Sequence, residues 1–239
     1  MTKEMPTVWA RQPKRQQRDQ PALSREQIVS AALELLDAEG PEALSMRKLG
    51  ARLNAGATSM YSHVANKEEL LELVVDDVHG EIQLPETPAN WREAVSGCAH
   101  SLRDTYLRHP WMAATVGSVP LINISPNMLR MSDYLLQALT SAGFSYKAAD
   151  QALNAIAAYL IGAATFEAAW LVTIQRSGQS EEQWLEKLMP AAEEAIKNYP
   201  HVLQAYQAQT EQSDNSREAN FSNGLTCILD GLEARLEKV

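Results

Sequence analysis

Six consecutive residues, TSMYSH (58–63), gather small hydroxyls, a phenol and an imidazole directly before a strong helix start. Each of these polar groups gives or takes a hydrogen bond, and a core helix would not spend its positions on them. On the outside of a short helix, Thr58, Ser59, Tyr61 and His63 carry the chemistry needed to meet base edges and phosphate oxygens. Met60 and Val64, four apart, are the pair such a helix turns inward. A polar turn between two helices of a plain α bundle is the competing reading.

The elements that must hold this stretch follow from local signals. SREQ (24–27) is a capping box opening a first helix, whose apolar stripe runs Ile28, Ala31/Ala32, Leu35/Leu36 and which ends at Gly40-Pro41. A second, short helix starts from an N-cap at Ser45, turns Met46, Leu49 and Leu53 inward, and stops at NAGA (54–57). The third covers about 58–64. NKEE (66–69) caps a fourth helix, with Leu70, Leu71, Val74, Val75 and Val78 on its buried side. Two short helices joined by a glycine-containing turn and preceded by a supporting helix make a helix-turn-helix, whose second short helix enters the DNA major groove.

Charge is distributed to match. The 239-residue chain has a net charge of −9, yet residues 1–67 carry ten Lys/Arg against seven Asp/Glu, a net of +3, which leaves −12 for the remainder. Only the front suits a polyanion; a basic solvated tail on an acidic protein is the plainer alternative. Ahead of the first helix, Arg11, Lys14, Arg15 and Arg18 are spaced among Gln and Pro in a segment that cannot build a core and is expected to be disordered. Such an arm either enters the adjacent minor groove or serves as a solubilising tail.

Residues 32–75, ALELLDAEGPEALSMRKLGARLNAGATSMYSHVANKEELLELV, resemble the tetracycline-repressor-like (TetR) transcriptional regulators in an almost gap-free match. The resemblance implies that Arg47 and Lys48 open the first short helix, with the Arg on a base or phosphate. It implies that Ala57, Thr58 and Ser59 read bases, and that Tyr61, His63 and Lys67 grip phosphates. Ala57 and Thr58 replace the Gln-Pro pair of the tetracycline repressor, and Ser62 replaces its Trp, so the operator sequence does not transfer. Farther on, NWREAV (90–95), LRHPW (107–111), LTSAGFS (139–145), YLIGA (159–163) and GLTCILDGLEARL (224–236) are similar in order and spacing to the family's ligand-binding and dimerisation part. The implied fold is all-α, with a basic arm (1–22), a three-helix helix-turn-helix DNA-binding domain (23–68) and a C-terminal helical ligand-binding and dimerisation bundle (69–239). The implied dimer forms through the apolar helix at 149–173 and the last helix at 220–237, and it addresses a pseudo-palindromic duplex. Docking of these helices on the subunit's own core is the alternative.

Three stripes could line a small-molecule cavity: Trp91, Val95, Cys98, Leu102 and Tyr106; Asn127, Met131, Tyr134 and Ala138; and Asn154, Ala158, Ile161 and Thr165. With Trp111, the effector-contact set is Trp91, Cys98, Leu102, Trp111, Asn127, Met131, Tyr134, Asn154 and Thr165, facing an aromatic or antibiotic-like compound. Stripe by stripe, a plain bundle core explains the same pattern. No metal or other cofactor is expected. Thr115 stands where the tetracycline repressor has its metal-binding His, and neither His100 nor His109 has Asp or Glu at metal spacing.

Other classes have less chemistry behind them, although Glu167, alone inside an apolar helix, could be catalytic instead of a ligand-contacting or interface carboxylate. There is no G-x-S-x-G, phosphate-binding Gly loop or H-E-x-x-H, and no Cys–His pair placed as nucleophile and base, so an enzyme is not expected. Cys98 and Cys227 form no spaced cluster, which fits a reducing cytoplasm. The N-terminus has no signal-peptide run, and the most apolar stretch, 155–166, is too short for a membrane span. The region 175–215 is the least constrained, with polar runs QRSGQSEEQ and QAQTEQSDNS that read as mobile linkers. A helix-turn-helix nucleoid or protein-interaction factor without a small ligand is the rival function.

Overall fold

Ser24 opens the first helix as expected: its Oγ accepts the Gln27 N–H at 3.2 Å while the Gln27 carboxamide accepts the Ser24 N–H at 2.9 Å. The computed structural model describes residues 23–119, 124–210 and 216–236. The basic arm lies outside the described residues. Eleven helices and no strand occur among those residues. The first four are α1 (Arg25–Glu39), α2 (Met46–Arg52), α3 (Ala57–His63) and α4 (Lys67–Gly80). The rest are α5 (Trp91–Arg108), α6 (Met112–Thr115), α7 (Pro126–Ser141), α8 (Tyr146–Ser177), α9 (Glu181–Ile196), α10 (Pro200–Thr210) and α11 (Arg217–Leu236).

The α2–α3 turn closes through a detail the glycine pattern did not single out. Asn54 takes the left-handed conformation (φ +50°), while Gly56 is extended (φ −72°) and caps α3. Gly50, in α2, has the steric role. Its carbonyl accepts the Ala55 N–H at 2.8 Å, and a Cβ there would lie 3.0 Å from the Ala55 carbonyl oxygen.

α4 is continuous across residues 68 and 69 and packs against both α1 and α7. Its apolar side buries Leu70, Val74, Val75 and Val78, yet Glu69, Glu72, Asp76 and His79 are buried too. Asp76 Oδ1 accepts the backbone N–H of Asn127 at 2.9 Å, and its Oδ2 accepts the Asn127 carboxamide N–H at 3.0 Å. A carboxylate is thereby set at the first turn of α7, where the helix dipole favours it. His79 Nε2 meets the Tyr106 hydroxyl at 2.9 Å, and its Nδ1 is buried without a hydrogen-bond partner.

α5, α7 and α11 pack around α8, whose inward stripe is Ala149, Ala152, Ile156, Leu160, Ala164 and Ala168. Three expectations need correction here. The apolar stretch at 155–166 belongs to a 32-residue helix, long and apolar enough by length and composition to cross a membrane, with an 18-residue window of mean hydropathy 1.6. Residues 175–215 are mostly helical rather than linkers: α8 continues to Ser177, and α9 starts with a capping box between Ser180 and Gln183. Residues 211–215 lie outside the described residues. Finally, the stripe of Asn154, Ala158, Ile161 and Thr165 does not face the subunit core, because α8 turns a different register inward.

Burial holds the His79 imidazole down to about 4, against 6.5 for an ordinary histidine, with Asp76 pulling the other way. The unfolded chain therefore binds one more proton between those values. The stability this neutral ring allows is complete above the ordinary value and is lost as the pH falls toward 4, by roughly 3 kcal/mol. Urea unfolding from pH 7 to 5 should show this decline in the native chain and a flatter profile in His79→Gln. An identical slope in both proteins would clear His79 of the effect.

Candidate nucleic-acid interface and small-molecule site

α3 is held to the protein by two side chains. Met60 and Val64 are 0% and 1% exposed, whereas Thr58, Ser59 and Tyr61 are exposed, Tyr61 at 51%. Ala57 is the first residue of the helix. His63 is half-buried, and its carbonyl accepts from Arg25 at 3.4 Å, which fixes the end of α3 against α1. Arg47 and Lys48 lie in the first turn of α2; Arg47 is exposed and Lys48 pairs with Glu39. Lys67 begins α4 and donates to the Pro41 carbonyl at 3.3 Å. Arg47 and Lys48 open α2 and Lys67 opens α4, so α3 lies between basic residues along the chain. Arg11, Lys14, Arg15 and Arg18 lie outside the described residues.

The nine residues expected at a small molecule divide into five places. Trp91 and Tyr134 share a cleft of about 510 Å³ with Glu86, Asn90, Gln137 and Ala138. The Tyr134 hydroxyl donates to the Pro85 carbonyl at 2.8 Å, which fixes the ring at the cleft wall. Cys98, Leu102 and Met131 are packed in the shared core at 0%, 1% and 6% exposure. Burial pushes the Cys98 thiol up to about 12, so it has no thiolate chemistry at neutral pH. Asn127 is engaged with Asp76 at the start of α7, and Trp111 donates from Nε1 to Asp37 Oδ1 at 2.7 Å. Asn154 and Thr165 lie on the outer side of α8, where each donates to a carbonyl of the preceding turn. That side also carries Phe166, 80% exposed.

Sequence reasoning passed over Asp76, His79 and Glu81. Asp76 and His79 had a visible signal, since they interrupt an apolar stripe at an i, i+3 spacing. His109 is likewise not isolated: folding brings Asp37 to its Nδ1 at 2.7 Å and Glu81 to its Nε2 at 3.2 Å. Arg108 donates to Glu81 at 2.8 Å. Burial alone would raise the Glu81 pKa, but the hydrogen bonds from Arg108 and His109 prevail and hold it below the usual carboxylate value. No group of three or more His, Cys, Asp or Glu suited to a metal ion occurs among the described residues.

Comparison with known proteins agrees with both halves of this geometry. Residues 28–74 match the family described as bacterial regulatory proteins, tetR family, and residues 84–236 match the tetracyclin repressor-like C-terminal domain. An HTH-type transcriptional regulator of Saccharopolyspora erythraea is 43% identical over 164 residues, 68% of each chain. The HTH-type transcriptional repressor DrrR1 of Streptomyces coeruleorubidus is 31% identical over 219 residues, covering 89% of this chain and 78% of that protein. The crystal structure of the Streptomyces coelicolor TetR family protein ActR in complex with actinorhodin superposes with a TM-score of 0.72 at 29% identity, over 90% of this chain and 98% of that one. With a helix-turn-helix whose outward face is polar and a C-terminal domain matched from residue 84 to 236, the chain belongs to the tetracycline-repressor (TetR) family of bacterial DNA-binding transcriptional regulators.

Proposed function

We propose that the protein is a dimeric repressor that leaves a pseudo-palindromic operator when a small aromatic molecule binds its C-terminal bundle. The observation that carries the reading is α3, a helix anchored by Met60 and Val64 with its hydrogen-bonding side chains turned outward. Repression is supported by the relative DrrR1, and an aromatic effector by the actinorhodin complex of ActR. No catalytic function is assigned to the chain, and its place of action is the cytoplasm, where the DNA is. The nucleoid-factor reading lacks a use for the cleft beside Trp91 and Tyr134.

Release needs an effector that binds the DNA-competent and DNA-incompetent forms with different affinity. The route is a tilt of α4. Its N-terminus carries Lys67 beside the DNA face, and its C-terminal half is bonded to α7 through Asp76 and Asn127. A displacement of α7 is then transmitted along a single helix. In a dimer, the same tilt alters the separation of the two α3 helices, so both half-sites are no longer met at once.

The dimer surface is the outer side of α8, where Phe166 is 80% exposed, together with α11. Sedimentation should show a dimer for the native chain and a monomer for Phe166→Asp, and a dimer surviving that change would move the interface elsewhere.

Tyr61→Ala and Lys67→Ala should each weaken operator binding by about 1–2 kcal/mol, the scale of one lost phosphate contact; thermal unfolding should be unchanged in Tyr61→Ala, while Lys67→Ala also loses its bond to the Pro41 carbonyl. Binding should also fall steeply with salt. Unaltered affinity in both variants would take these residues out of the interface. For the effector, tryptophan fluorescence titrated with a panel of aromatic antibiotics, alongside operator release, should yield a saturable quench that Trp91→Phe reduces. A compound that saturates the signal and leaves operator affinity unchanged would refute the coupling for that compound.

A further inference from the structure

Three helix ends meet at one imidazole. His109 closes α5, its Nδ1 lies 2.7 Å from Asp37 Oδ1 on α1, and its Nε2 lies 3.2 Å from Glu81 at the end of α4. The ring joins both carboxylates when both of its nitrogens carry protons. Trp111, two residues on, donates to the same Asp37 oxygen at 2.7 Å. Both rings are buried, with the His109 side chain 9% exposed and Trp111 4% exposed. Asp37 is thus the point on α1 at which two donors from the α5–α6 turn converge.

We propose that Asp37 is a positioning residue: clasped by His109 and Trp111, it fixes the angle between the DNA-binding helices and the C-terminal bundle, and with it the separation of the two recognition helices in the dimer. The other large contact between these units is α1 against α4, lined by apolar side chains such as Ile28, Leu35, Leu70 and Val74. Apolar contact is non-directional and tolerates small rotations. Two hydrogen bonds converging on one carboxylate oxygen do not, because each weakens steeply with angle. The α4 route sets where a displacement enters the DNA-binding unit. The Asp37 clasp sets how that unit is turned when nothing displaces it.

The inference rests on the DNA-binding reading, and its test has one arm that needs no DNA. A duplex selected from a random pool by the native chain is remade with its half-sites one base pair closer or farther apart, and as a single half-site. Binding is followed by fluorescence anisotropy. Asp37→Asn and Trp111→Phe should each lose about tenfold on the native spacing, the scale of one hydrogen bond to a charged group, while half-site binding barely moves. Preference for the native spacing should therefore collapse, and the double variant should lose no more than either single one. Equal losses on half-site and full site, or an intact spacing preference, would overturn the proposal, since a contribution to folding alone lowers both together. In the second arm, spin labels at Ser30→Cys and Asp133→Cys, in a Cys227→Ser background, report the distance between α1 and α7. The distribution should be narrow in the native background and broad with Trp111→Phe; no broadening would overturn the clasp. A native chain that selects no duplex would defeat the DNA-binding reading, while the spin-label arm would still decide this one.

Discussion

The carboxylate of Asp76 is the contact on which the rest of the architecture turns. A buried carboxylate is tolerated only when its oxygens are hydrogen-bonded, and Asp76 finds its donors on another helix, in the backbone and side chain of Asn127. The Asn127 carboxamide donates a further bond to the Asp76 carbonyl at 3.0 Å. Because α7 is fixed to α4 by directional bonds at its first turn, α4 cannot slide along the C-terminal bundle without leaving a charge unpaired. The same helix supplies Leu70 and Val74 to the core beneath the recognition helix. One rigid element therefore runs between the two ends of a single hydrophobic core.

α8 solves a different packing problem. Its inward stripe is mostly alanine, which brings α5, α7 and α11 close to its axis, and the bulky Phe166 points away from the subunit. A helix with small residues inside and an exposed aromatic outside has its packing needs met by its own chain on one side only. The other side is left for the second copy of the proposed dimer to cover.

Legibility in the sequence followed the range of the interactions. The caps at Ser24, Ser45 and Asn66 act over three residues, so they could be read directly, and so could the inward pair Met60 and Val64. Ser180 with Gln183 has the same form as Ser24 with Gln27, yet its polar surroundings made it look like a linker. α8 failed for a physical reason: it is apolar nearly all round, so periodicity does not choose its buried face, and Asn154 and Thr165 were assigned to the wrong one. The contact of Asp37 with His109 spans 72 residues of chain, and that of Asp76 with Asn127 spans 51. No local pattern encodes either. The candidate DNA face is contiguous in sequence and could be read as a unit, whereas the nine residues expected at a small molecule come from separate helices, and folding brings only Trp91 and Tyr134 to one cleft.

Among its described side chains, α3 and its C-cap are seated by Met60 and Val64, which separates the outward face from how the chain folds. Thr58, Ser59, Tyr61 and Ser62 are exposed, and changing them alters no core contact. Variation at these positions meets little resistance from stability, while Met60, Val64 and Gly50 keep the helix seated. A gene duplicate of such a regulator can acquire a new target site by surface changes alone, with its response to the small molecule inherited intact.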